Sequence, residues 1–140
     1  MGIKIFLDTN IILDILDDKR PAHSPSVELY QLIEAGELDA FISESVLTTT
    51  DYILQKVATR SKRADLLSIL LDFLQVLPCT TKTCRKALQS NFPDMEDSIL
   101  YHIALDHSLD YFITNDKGVK KLSVAALPII STKEFLNING

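Results

Sequence analysis

The chain has 140 residues, 46% hydrophobic and 24% charged, enough to bury an ordinary core as one domain without cross-links. A net charge of −5 argues against binding nucleic acid through bulk positive charge, although metal ions can invert the local field of an acidic nuclease site. No apolar run approaches the roughly 20 residues of a membrane helix, and the start turns acidic too soon for a signal peptide, so a cytoplasmic protein with no membrane partner is expected.

Residues 3–8 read as a short, uniformly apolar strand ending in Asp8. Asn10 is the expected cap of a helix over residues 11–17, which Asp18-Lys19-Arg20-Pro21 breaks. Ser24-Pro25 opens a second helix with Pro at its first position, an apolar face of Val27, Tyr30, Leu32 and Ile33, and Gly36 at its end. Residues 40–43 form a second strand that leads into a helix reaching residue 58. A Leu-rich helix over 64–74 precedes a third strand at 75–79, where Cys79 and, beyond it, Cys84 read as reduced thiols. Residues 83–89 are helical, and Pro93-Asp94 opens a helix over 95–107. Strands at 111–114 and 128–130 follow, and Ser131 caps a last helix over 132–136. Short apolar strands alternating with helices imply an α/β protein, with a three-layer α/β/α fold and a central parallel sheet of four to five strands, spanning residues 1–140 as a single domain.

The chemistry gathers at strand ends. Asp8 follows the first strand, and Asp116 follows a second strand that runs into Thr114-Asn115-Asp116. If these strands are neighbours, both carboxylates project from the carboxyl edge of the sheet, where α/β folds bind their ligands. Like charges brought close repel unless a cation lies between them, and all-oxygen clusters suit Mg²⁺ or Mn²⁺. Helix capping by Asp8 and Asp116 is the plainer alternative. Asp94 has the spacing of a cap for the helix that follows, with Asp97 three residues on. Asp97 shares a helical stripe with Leu100, Tyr101 and Ala104, which puts it at the margin of the packed face. Asp14, Asp17 and Asp18 read as a solvated surface run. The basic clusters around residues 56–63, 82–86 and 117–121 read as solvated helix ends.

Taken together, these residues resemble the PIN domain, the nuclease fold of the VapC-type toxins of bacterial and archaeal toxin–antitoxin pairs. Leu7-Asp8-Thr9-Asn10 matches the family's opening Asp-Thr-Asn. Asp94-Met95-Glu96-Asp97-Ser98 resembles the Asp-Phe-Glu-Asp-Ala of one branch, and Tyr111–Asp116 resembles the strand ending in Thr-Arg-Asp. The closing Pro128-Ile129-Ile130-Ser131-Thr132 also fits that branch. The resemblance implies a ribonuclease that hydrolyses RNA phosphodiesters with Mg²⁺ or Mn²⁺ held by Asp8, Asp97 and Asp116. It further implies that Asn10 and Thr114 hydrogen-bond those carboxylates or the attacking water, and that the partners are an RNA substrate, a protein antitoxin and a second copy of the chain. The helix containing residues 66–74, apolar on more than one face, is the candidate dimer surface.

One departure stands out. Many PIN domains carry a Glu early in the helix after the second strand, and the equivalent place here is Thr49 within Thr48-Thr49-Thr50. Asp51 lies about 200° further round such a helix and should face elsewhere. Glu44 substitutes only through a shifted backbone, and Asp94 is the candidate to compensate. A competing expectation is therefore a PIN fold that binds RNA or protein with weak or no nuclease activity. Phosphotransfer domains of the haloacid-dehalogenase or receiver type fit less well. The former wants an acid where Asn10 stands, and the latter wants one after the third strand, where Cys79-Thr80-Thr81 stands.

Overall fold

A computed structural model describes residues 2–139. Its first strand, β1 (Ile3–Leu7), lies at the centre of a five-stranded, all-parallel sheet with β2 (Leu38–Ser43), β3 (Leu74–Leu77), β4 (Tyr111–Ile113) and β5 (Ile129–Ile130), in the order β3-β2-β1-β4-β5. Successive residues of a strand point to opposite faces, and Ile5, Phe6 and Leu7 are each 0% exposed. Both faces of the sheet are therefore covered. Phe6 pairs with Phe112 in the β1–β4 register, and their rings stack at 5.4 Å.

The helices are α1 (Thr9–Leu16), α2 (His23–Glu34), α3 (Glu44–Leu54), α4 (Arg60–Leu71), α5 (Thr81–Leu88), α6 (Met95–Asp106), α7 (Lys117–Lys120) and α8 (Thr132–Asn139). From β1 the chain steps outward to β2 and β3 through α1–α4. It then crosses back past β2 and β1 through α5 and α6 to reach β4 on the other side of β1. Right-handed crossovers running in opposite directions place those two helix groups on opposite faces, giving three layers. The packing agrees, with α1 against α2 and α3, α2 against α8, and α5 against α6. The direction of connection reverses between β1 and β4, and such a switch point opens a crevice at the carboxyl ends of its two strands.

Several boundaries differ from expectation for local reasons. The cap of α1 is Asp8, whose carboxylate accepts the Ile11 N–H at 3.0 Å, and not Asn10. Helix α2 starts at His23, with Pro25 inside its first turn, where a missing N–H leaves no helical bond unmade. Gly36, at φ +78°, takes the left-handed conformation beyond its end. Helix α4 begins earlier than the Leu-rich run suggests, because Thr59 accepts the Lys62 N–H and starts it among basic residues. It also ends earlier, since Leu74 leaves the run to pair with Ala40 in the sheet. The short α7 adds a helix between β4 and β5. No helix among the described residues is long and apolar enough to cross a membrane.

Candidate active site

Asp8 is the first residue past β1, and its backbone N–H reaches Ile113 O of β4 at 3.4 Å. That seam buries the side chain, leaving the residue 4% exposed. Burial pushes the carboxyl up to about 7. Hydrogen bonds from Thr114 and the Ile11 N–H oppose the shift, while the nearby charges of Asp97 and Asp14 add to it. Thr114 also accepts the Asp116 N–H on its hydroxyl oxygen at 3.1 Å. One hydroxyl thus ties both strand ends.

Asp97 reaches the same place from α6. Asp94 caps that helix by accepting the Asp97 N–H at 3.0 Å, which satisfies one of the helix's free donors. Asp97 is half-buried, above the buried Leu100, Tyr101 and Ala104. Its carboxyl is pushed up to about 6, first by burial and then by the charges of Asp94, Asp116 and Glu96. Asp116 is exposed, and its Oδ1 accepts the Gly118 N–H at 2.8 Å as the cap of α7. Asp8 and Asp116 do cap helices, as the plainer alternative expected. Asp97 stands electrostatically between them, acting on Asp8 and acted on by Asp116.

Glu96 is an acid that the sequence reading did not select. Its Oε1 accepts from the Thr9 hydroxyl at 3.2 Å and its Oε2 from the Thr49 hydroxyl at 3.5 Å. Asp51 does face elsewhere, paired with Arg63 at 2.8 Å, and Glu44 is exposed in the first turn of α3.

Asp14 is not part of a solvated run. It is 4% exposed and binds Arg20 Nε at 2.7 Å and Asn115 Nδ2 at 3.2 Å. Asn10 is exposed, and its Oδ1 accepts from Arg20 Nη2 at 3.2 Å rather than capping α1. Asn115 in turn accepts the Thr132 N–H at 3.1 Å, so the residue before Asp116 is anchored on two sides. Beside Asp116 opens a cleft of about 650 Å³, lined by Pro25, Thr114, Lys117, Lys120 and Lys133 among others. Lys120 is paired with Glu134. Nor are all the basic clusters free surface, since Arg63 is buried and Lys86 pairs with Asp106. Cys79 and Cys84 are free thiols with their sulfurs 3.6 Å apart.

A model of the PIN domain matches residues 4–118, which include most of β1, all of α6 and β4, and all three aspartates. The chain belongs to the PIN domain family. This PIN domain is 28% identical over 137 residues to the ribonuclease VapC1 of Aquifex aeolicus, covering 94% of this chain and 92% of that one. Its fold is similar to a chain in the crystal structure of VapBC2 from Rickettsia felis bound to a DNA fragment from their promoter. The TM-score is 0.69 and the identity 18%, over 92% of this chain and 98% of the other. It is also similar to Mycobacterium tuberculosis VapC20, a toxin that cleaves the Sarcin-Ricin loop. There the TM-score is 0.61 and the identity 14%, over 77% of this chain and 86% of that one. At these identities the two structures speak for the fold alone.

Proposed function

We propose that this PIN domain is a Mg²⁺- or Mn²⁺-dependent endoribonuclease and the toxin of a type II toxin–antitoxin pair. The observation that carries the reading is the buried carboxyl of Asp8 at the β1–β4 switch point, with Asp97 close enough to repel it and only neutral hydrogen-bond donors around it. The similarity to the ribonuclease VapC1 supports the activity and the toxin role.

Among the described residues, no three His, Cys, Asp or Glu side chains already stand at the spacing of a metal-ligand set. The donor chemistry nonetheless fits a hard divalent cation. Asp8, Asp97 and Asp116 offer only oxygen, and two of them are held at raised pKa by burial and by neighbouring carboxylates. In this reading those three hold the cation, Thr114 and Thr49 orient carboxylates, and Asp94 fixes the first turn of α6. A cation bound there supplies Lewis-acid stabilisation of the phosphate under attack and favours ionisation of the water nucleophile. The remaining work falls to the chain. The switch-point crevice admits the phosphodiester, and exposed Lys117 and Lys133 line a cleft where the flanking phosphates of RNA can bind.

The toxin role brings a protein antitoxin, a homodimer and a cytoplasmic site of action with it. Exposed Ile69, Leu71 and Phe73 at the α4–β3 corner supply apolar surface for a partner chain. The reading as a binding module with little cleavage rests on Thr49 standing where many PIN domains carry Glu, and the Glu96 carboxylate beside Thr49 weighs against it. Cation-dependent cleavage of RNA that Asp8→Asn abolishes is the test.

A further inference from the structure

We propose that Glu96 is a fourth acid of the cation site, delivered from helix α6 to the position that Thr49 of α3 borders. This rests on reading the site as a divalent-cation site. A glutamate in the first turn of a helix has open water within reach and ordinarily keeps its rotamer freedom. Glu96 is instead half-buried and held at both oxygens by hydroxyls from two other elements, Thr9 of α1 at 3.2 Å and Thr49 of α3 at 3.5 Å. Both donors are neutral, so they orient the carboxylate without compensating its charge. A carboxylate oxygen has room for a further partner beyond one hydroxyl.

Glu96 adjoins Asp97 in the first turn of α6. A fold that fixes two neighbouring carboxylates on one helix turn, and steers the one that could swing into water back toward α1 and α3, has arranged them for a cation. The two threonines also connect the parts of the site. Thr9 is the residue after Asp8, so its bond to Glu96 links the β1–α1 junction to α6. Thr49 sits where the side chain of a glutamate on α3 would enter the same space. The acid has changed helices and kept its place.

The test is Mn²⁺ binding to the full-length protein, measured by the loss of the free-ion paramagnetic resonance signal. Glu96→Gln keeps the shape, leaves an acceptor oxygen for one threonine hydroxyl and an NH2 that can donate to the other, and removes the charge. It is expected to weaken Mn²⁺ binding about tenfold, the lower end of what residues around a metal contribute. Thr49→Glu combined with Glu96→Gln is expected to restore most of that loss, which a merely structural role for Glu96 would not produce. If Glu96→Gln binds Mn²⁺ like the wild type while Asp8→Asn binds it weakly, the proposal falls and the cation site stands. A double variant as weak as the single one also overturns the exchange of helices. Wild-type protein that takes up no Mn²⁺ at millimolar concentration overturns both this proposal and the reading beneath it.

Discussion

The hydroxyl of Thr114 is hydrogen-bonded to the buried carboxyl of Asp8 across the seam between β4 and β1. The pairing of Leu7 with Ile113 in the sheet places these two residues side by side, each one step past its strand. Because the same hydroxyl accepts the Asp116 N–H, the geometry of the crevice depends on strand register and not on flexible loop contacts. A carboxylate so placed has little water and no cationic side chain among its hydrogen-bond partners, and it carries that electrostatic burden in the free protein.

The burden has a measurable sign. Asp8 is raised from 3.8 to about 7, so between those values the folded protein binds more protons than the unfolded chain. Stability of the cation-free protein should therefore fall as pH rises from about 4 to about 7. Asp97, raised to about 6, steepens the lower part of that window. Asp8→Asn retains a side chain that can cap α1 and removes the buried charge. It should flatten the slope and raise the Tm of the cation-free protein at pH 8, checked by thermal melts across pH in EDTA. Added Mn²⁺ should raise the Tm of the wild type by mass action and leave Asp8→Asn nearly unmoved.

The Asp14 brace should matter for both stability and rate. Asp14→Ala strips Arg20 Nε and Asn115 Nδ2 of their shared acceptor and frees the segment before Asp116. Arg20 is partly exposed and can turn to water, so the loss should be about 2 kcal/mol, below that for a fully buried pair. Urea unfolding should show a lower midpoint at unchanged m-value. The turnover number should fall as well, since Asn115 no longer holds its neighbour.

These partners explain what was legible in the sequence and what was not. Asp8, Asp97 and Asp116 stand out in the sequence because each sits at a recognisable place, a strand end or a helix start. The sheet followed from the alternation of short apolar strands with helices. Glu96 and Asp14 look like ordinary charged residues of helix surfaces. Their hydrogen bonds come from Thr9, 87 positions from Glu96, from Thr49, 47 positions away, and from Asn115, 101 positions from Asp14. Such pairings are created by the crossover from β3 back to β4, and no local pattern encodes them. Helix α7 is illegible in the sequence for a different reason: four residues, Lys-Gly-Val-Lys, show no periodicity, and Asp116 caps the helix from outside.

The lysines of the cleft give a prediction that separates substrate binding from chemistry. Lys117→Ala with Lys133→Ala should raise KM for RNA with little change in kcat, as expected of side chains that hold flanking phosphates and not the one under attack. If each contacts one phosphate of a single strand, the slope of log affinity against log salt should flatten by about 0.7 per lysine removed. Titrations of labelled RNA at several salt concentrations would show it. An unchanged slope would remove these residues from the RNA path.

The most direct test of the central claim is cleavage of a labelled RNA by purified wild-type protein and by Asp8→Asn, each with Mg²⁺ or Mn²⁺ and with EDTA. Internal cuts that need the cation, that EDTA abolishes and that disappear in Asp8→Asn are the predicted result. Cuts that persist in EDTA or in Asp8→Asn would contradict the account, and so would a wild-type protein that binds the cation and cuts no RNA.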